Sequence, residues 1–168
     1  MAHGLRALGL KPGDCVALVM ENCAEFFQIN LAVTQIGLYM TPINNHLTAP
    51  EIAYIVKDSG AKVFFGSEKF AAACQAAQEQ IGFPPESSFA LGTVEGFRPF
   101  SELTAEQPAT RPEDRCAGQV MNYTSGTTGK PKGVRRALAP IDPDLVAALT
   151  TGLLAMFGLQ PEDDNVHI

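Results

Sequence analysis

From the N-terminus to Leu91, apolar runs of strand length alternate with stretches whose apolar residues recur at helical spacing. The segment His3 to Leu10 reads as a short helix closed by Gly9, and Lys11-Pro12-Gly13-Asp14 reads as a turn. Cys15 to Met20 is apolar throughout, the pattern of a strand covered on both faces in a parallel sheet. A helix follows, with Asn22 expected as its cap, Gly37 at its end, and Phe26 and Phe27 packed toward the sheet. Tyr39 to Ile43 forms a second strand, expected to be broken at Pro42. Thr48 with Glu51 three residues later marks a capping box, opening a helix that runs through Ile52, Ile55 and Val56 to Ser59-Gly60. Lys62 to Gly66 is a third strand, Lys69 to Ile81 an alanine-rich helix, and Ser88 to Leu91 a weaker fourth strand. Strand and helix in alternation predict an α/β fold of parallel βαβ units.

Beyond Leu91 the pattern changes. Thr93 to Gly118 is rich in Pro, Glu, Thr, Gly and Ser and reads as a surface connection with one helical turn at Phe100 to Leu103. Its acids Glu102, Glu106, Glu113 and Asp114 are spaced as a solvated face, not as a catalytic pair. Gln119 to Thr124 is a strand, and Gly133-Val134 begins a return. Asp142 is placed to cap a last helix with Pro143 at its first position. The stripe Leu145, Leu149, Leu153 and Met156 along that helix is expected to face a core. Gln160 to Asp164 reads as a turn and Asn165 to Ile168 as a further strand.

The totals narrow the class. A chain of 168 residues with 46% hydrophobic and 18% charged residues is long enough for one buried core. A formal charge of −6 argues against a nucleic-acid surface, which needs a basic stripe. Cys15, Cys23, Cys74 and Cys116 are scattered, so thiols in a reducing compartment are expected in place of a zinc site or a disulfide framework. No apolar leader segment is visible, and Leu145 to Leu159 is too short to span a bilayer, so a cytoplasmic, soluble protein is expected. The oligomeric state stays open.

The candidate chemistry is concentrated in Tyr123-Thr-Ser-Gly-Thr-Thr-Gly-Lys-Pro-Lys-Gly-Val134. Gly126 and Gly129 admit positive φ and close backbone approach. Successive N–H groups in such a turn form an anion-binding nest. Ser125, Thr127 and Thr128 add hydroxyls, Lys130 and Lys132 add charge, and Pro131 stiffens the tip. Pro131 stands where a Walker A loop needs Ser or Thr, so this is a different phosphate loop. The bland alternative is a Gly/Ser/Thr turn with solvated lysines. Arg135 and Arg136 read equally as phosphate or carboxylate ligands and as a solvated pair, and His46 reads as a loop histidine bonded to backbone.

The loop resembles the nucleotide-phosphate signature of the adenylate-forming enzymes, which include acyl-CoA synthetases, peptide-synthetase adenylation domains and luciferase-like enzymes. Thr41-Pro42-Ile43-Asn44-Asn45-His46-Leu47-Thr48, Asp58-Ser59-Gly60-Ala61-Lys62-Val63 and Lys11-Pro12-Gly13-Asp14 are similar to earlier stretches of that family. Gly133-Val134-Arg135-Arg136 is most like bacterial fatty-acyl-CoA synthetases. The resemblance implies a partial large N-terminal (AMP-binding) domain over residues 1–168, with its phosphate loop at 123–134 and the small C-terminal domain missing. It implies ATP-dependent activation of a carboxylic acid, a fatty acid first and an aryl acid as runner-up, through an acyl-adenylate to the coenzyme A thioester. ATP, Mg2+ and coenzyme A are then implied, with Thr124, Ser125, Gly126, Thr127, Thr128, Gly129, Lys130 and Lys132 as the nucleotide-binding set. The magnesium acid and the adenylation lysine of the family have no counterpart here, so no catalytic residue is expected in this chain. On that reading the last helix could also wall an acyl pocket. A non-catalytic nucleotide-binding module and a remnant completed by a partner are the readings from other classes.

Overall fold

The computed structural model describes residues 1–124 and 130–159. The expected terminal turn and strand at 160–168 lie outside them.

At the centre is a six-stranded sheet in the order β5-β4-β3-β1-β2-β6, with every neighbouring pair parallel. The strands are β1 (Cys15–Leu18), β2 (Tyr39–Pro42), β3 (Ala61–Ser67), β4 (Ser88–Leu91), β5 (Arg98–Pro99) and β6 (Gln119–Val120). The period of two distributes each strand between two apolar layers. Val16, Leu18, Met40, Val63, Phe65 and Phe89 face one layer, under α1 (Ala2–Ala7) and α2 (Ala24–Gln35). Ala17, Val19, Phe64 and Ala90 face the other, under α3 (Ala49–Asp58) and α4 (Ala71–Ile81). All four residues of β1 are buried, as a strand covered on both faces requires.

Helix α3 is firmly seated. Ile52, Ala53, Ile55 and Val56 are buried, and the Glu51 carboxylate accepts from both the amide and the hydroxyl of Thr48 at 2.8 and 2.7 Å. Helix α2 differs from the sequence expectation by one residue. Cys23, not Asn22, is the extended N-cap, and it makes no side-chain cap bond, so the Asn22 side chain falls one position outside capping range. Pro42 ends β2 without breaking it. The amides of Tyr39 and Ile43 donate to Asp14 and Leu18, so the position of Pro42 points away from β1. The pairing with β6 stops at Met40, so the missing N–H costs no ladder bond.

The connection after β4 is less superficial than its composition suggests. Val94, Phe100, Leu103 and Ala117 are buried, and Arg98–Pro99 adds an edge strand. The helical turn at Phe100–Leu103 is present as a 3-10 turn. The expected strand from Gln119 to Thr124 divides at buried Met121: β6 joins the sheet, while β7 (Asn122–Thr124) turns away to pair with β8 (Lys132–Val134).

Helix α5 (Pro143–Met156) starts as expected, with the Asp144 amide donating to the Asp142 carboxylate at 2.7 Å. Its leucine stripe does not face a core. Leu145, Leu149, Leu153 and Met156 are all exposed, Met156 to 82%. Val146, Ala147, Thr150 and Thr151 face α2 instead, across a cavity of about 420 Å³.

Candidate functional site

The antiparallel β7–β8 hairpin sets Asn122 opposite Val134, Tyr123 opposite Gly133 and Thr124 opposite Lys132. Two of the expected phosphate-binding positions, Thr124 and Lys132, therefore face each other at the open end of the hairpin, both exposed. Lys130 is also exposed, and its Nζ lies 5.5 Å from the centre of the Tyr54 ring. Ser125, Gly126, Thr127, Thr128 and Gly129 lie outside the described residues.

The base of the hairpin is packed. Cys15, Tyr39 and Met121 form a buried cluster, and Tyr123 and Leu138 pack against it. Gly133 has a steric reason to be glycine. A Cβ there would stand 2.9 Å from the Tyr123 ring and 2.4 Å from the Met121 methyl. The Tyr123 hydroxyl donates to the Asp58 carboxylate at 2.6 Å, a charge-assisted bond that joins the hairpin to the last turn of α3. Burial, then that bond and the Asp58 charge, push the Tyr123 phenol well above its ordinary range. One turn earlier on α3, the Tyr54 hydroxyl donates to the Pro131 carbonyl at 3.2 Å.

The arginines after the hairpin are engaged differently. Arg135 stacks on Tyr39, 4.4 Å from the ring centre, and its guanidinium donates to the Gly13 carbonyl. Arg135 is thus a structural tie to β2 and to the turn before β1. Arg136 offers its backbone carbonyl to the Tyr39 hydroxyl and its side chain to a cavity of about 420 Å³ shared with Gln119, Val120, Asn122, Val134 and Val146. His46 is exposed on a loop, where its amide donates to the Asn44 side chain at 3.0 Å. Glu102 is paired with Arg98 at 2.7 Å. Cys15 and Cys74 are buried and Cys23 and Cys116 half-buried, all with free thiols. Burial raises the Cys74 thiol to about 11, so it stays protonated at neutral pH. Among the described residues, no group of three His, Cys, Asp or Glu side chains is arranged to hold a metal ion. No described helix is long and apolar enough to cross a membrane.

The sequence pattern alone gives Tyr54 and Asp58 no role at the site. One signal was present: Asp58 puts a negative charge at the C-terminal end of a helix, where the dipole disfavours it.

A parallel α/β sheet whose edge strand β6 runs into a hydroxyl- and lysine-bearing hairpin defines a class, and comparison with known proteins identifies it. The AMP-binding enzyme family matches residues 1–163, and the chain belongs to that family. A fatty acid–[acyl-carrier-protein] ligase, ScoC, of Streptomyces coeruleorubidus is 36% identical over 80% of this chain and 25% of its own length. A long-chain-fatty-acid–CoA ligase, FadD13, of Mycobacterium tuberculosis is 36% identical over 79% of this chain and 26% of its own. The solved structure of a Mycobacterium tuberculosis fatty acyl CoA synthetase superposes with a TM-score of 0.63 at 33% identity, covering 81% of this chain and 26% of that one. The chain therefore spans about a quarter of the length of these relatives.

Proposed function

We propose that this chain supplies the nucleotide-phosphate site of an enzyme that activates a carboxylic acid with ATP and transfers the acyl group to a thiol. In the first step the carboxylate attacks the α-phosphorus of ATP, forming an acyl-adenylate and releasing pyrophosphate. In the second the thiol displaces AMP, leaving a thioester. The acid is a medium- or long-chain fatty acid and the thiol that of coenzyme A, on the Arg135-Arg136 resemblance and the names of the relatives. The name of the Streptomyces relative makes an acyl-carrier-protein thiol the second candidate acceptor.

One observation carries the reading: the hairpin places Thr124 opposite Lys132 with exposed Lys130 beside them. In this proposal Thr124, Ser125, Gly126, Thr127, Thr128 and Gly129 wrap the β- and γ-phosphates with amide and hydroxyl donors. Lys130 and Lys132 stabilise the charge that develops on the departing pyrophosphate. Magnesium supplies further charge neutralisation when ATP is bound. Asp58, the carboxylate beside the hairpin, is committed to Tyr123 and is not assigned to the metal.

The test is fatty-acid-dependent exchange of pyrophosphate into ATP by the polypeptide that carries this chain. Truncating the side chain and removing its ammonium in Lys132→Ala is expected to lower the exchange rate by about tenfold or more, the scale of one charge-assisted contact to phosphate. An unchanged rate would remove Lys132 from the site.

A further inference from the structure

Five consecutive positions, 125–129, separate the two strands of the hairpin, and both flanks of that segment touch the same helix. On the entering side Tyr123 donates to Asp58 at 2.6 Å. On the leaving side the Pro131 carbonyl accepts from Tyr54 at 3.2 Å, and the Lys130 ammonium lies 5.5 Å from the Tyr54 ring centre. Tyr54 and Asp58 are four residues apart on α3, so they present their side chains on one face. We propose that Tyr54 and Asp58 are positioning residues for the phosphate loop, holding its two ends at a fixed span against α3.

Three further observations bear on this role. Helix α3 is rigidly seated, with Ile52, Ala53, Ile55 and Val56 buried and its first turn closed by Glu51, so it is a firm base. Asp58 opposes the helix dipole, a local cost offset by the short phenol bond. The Tyr123 ring is held from the other side by Gly133, whose missing side chain lets β8 lie against it. A loop whose ends are fixed loses less conformational freedom when a polyanion binds. The inference rests on the phosphate-loop reading above, and its test separates the two.

The 168-residue chain is compared with its Asp58→Ala, Asp58→Asn, Tyr54→Phe and Lys132→Ala variants. Asn keeps an oxygen acceptor for the Tyr123 hydroxyl, whereas Ala does not. Backbone amide exchange at Thr124, Lys130 and Lys132 is followed without ligand, ATP affinity is measured by calorimetry, and the thermal midpoint controls for folding. Asp58→Ala and Tyr54→Phe are expected to speed exchange at those amides and to weaken ATP binding about three- to tenfold, the range of one such hydrogen bond. The thermal midpoint should move by no more than about 2 °C, as for a surface substitution. Asp58→Asn should restore most of both losses. Wild-type exchange in Asp58→Ala and Tyr54→Phe overturns the inference whatever ATP does. So does exchange that rises across the whole chain with a fallen midpoint, which marks a merely structural contact. If Lys132→Ala binds ATP like wild type, or wild type binds none, the phosphate reading fails and the exchange data alone decide the clamp.

Discussion

The Arg115 guanidinium, whose side chain is 12% exposed, donates to Gln35 on α2 at 2.8 Å and to Asp142 and Asp144 at the start of α5. One side chain thereby ties the last helix to the α/β body. The hydrogen bond from Arg115 is the main cause that lowers the Asp144 carboxyl from 3.8 to about 2; desolvation opposes it, and the charges of Arg111 and Arg115 add to it. A carboxylate whose folded pKa is depressed stabilises the fold above its unfolded value and loses that contribution as pH falls through the folded one. For Asp144 the window runs from about pH 4 down to about pH 2. Acid titration of wild type against Asp144→Asn, followed by the amide signals of α5, should therefore show two curves that differ above this window and converge within it. A gap that stays constant from pH 4 to pH 2 would mean that the ion pair does not hold the helix. Nothing in the sequence pointed to this tie, because Arg115 lies in a stretch whose composition reads as loop.

Elements were legible where an apolar pattern is itself sufficient to force burial. The continuous run at Cys15–Leu18 and the capped, periodic stretch at Ala49–Asp58 are of that kind. The two-residue strand Arg98–Pro99 is too short to carry a period and exists because a neighbouring strand edge accepts it, whereas Gln119–Val120 was legible as the start of a strand to Thr124 that divides at Met121. The stripe of α5 failed for a different reason: a period of 3.6 says that a helix has an apolar face, not what covers it. The energetic consequence is measurable. Leu149 is 65% exposed and Phe64 fully buried in the layer under α3 and α4. Urea unfolding should show Leu149→Glu within about 0.5 kcal/mol of wild type, while Phe64→Ala costs about 3–5 kcal/mol. A Leu149→Glu cost of core size would show that another surface covers this face in solution. The candidate site is a sequence reading of the same kind. Its hydroxyls, glycines and lysines are adjacent in sequence, but Tyr54 and Asp58 reach it only through the placement of α3.

Across the whole molecule, the two apolar layers are built almost entirely from residues before Thr104, on both faces of β1, β3 and β4. The hairpin and α5 lie past the other edge, joined through β2, the two-residue β6 and the Arg115 cluster, and Pro143 is the buried residue of α5. Such an arrangement makes stability uneven: a segment with little buried apolar surface opens locally at a free energy well below that of the whole. Native-state amide exchange should accordingly divide the chain. Amides of β1 and β3 should exchange only through global unfolding, and Phe64→Ala should lower their protection by its full cost in stability. Amides of α5 should exchange through local opening and hardly respond to the same substitution. Equal protection in α5 and β1, moving together in Phe64→Ala, would show one cooperative unit. The Leu145, Leu149 and Leu153 face would then have to be held by contacts other than those within a single chain. The β7–β8 hairpin sits between the two regimes, rooted in the rigid body through Asp58 and Tyr54 and continuous with the loosely held α5 through Arg135 and Arg136. Its protection should therefore follow α3 and not α5, because the bonds that fix its two ends are made to α3.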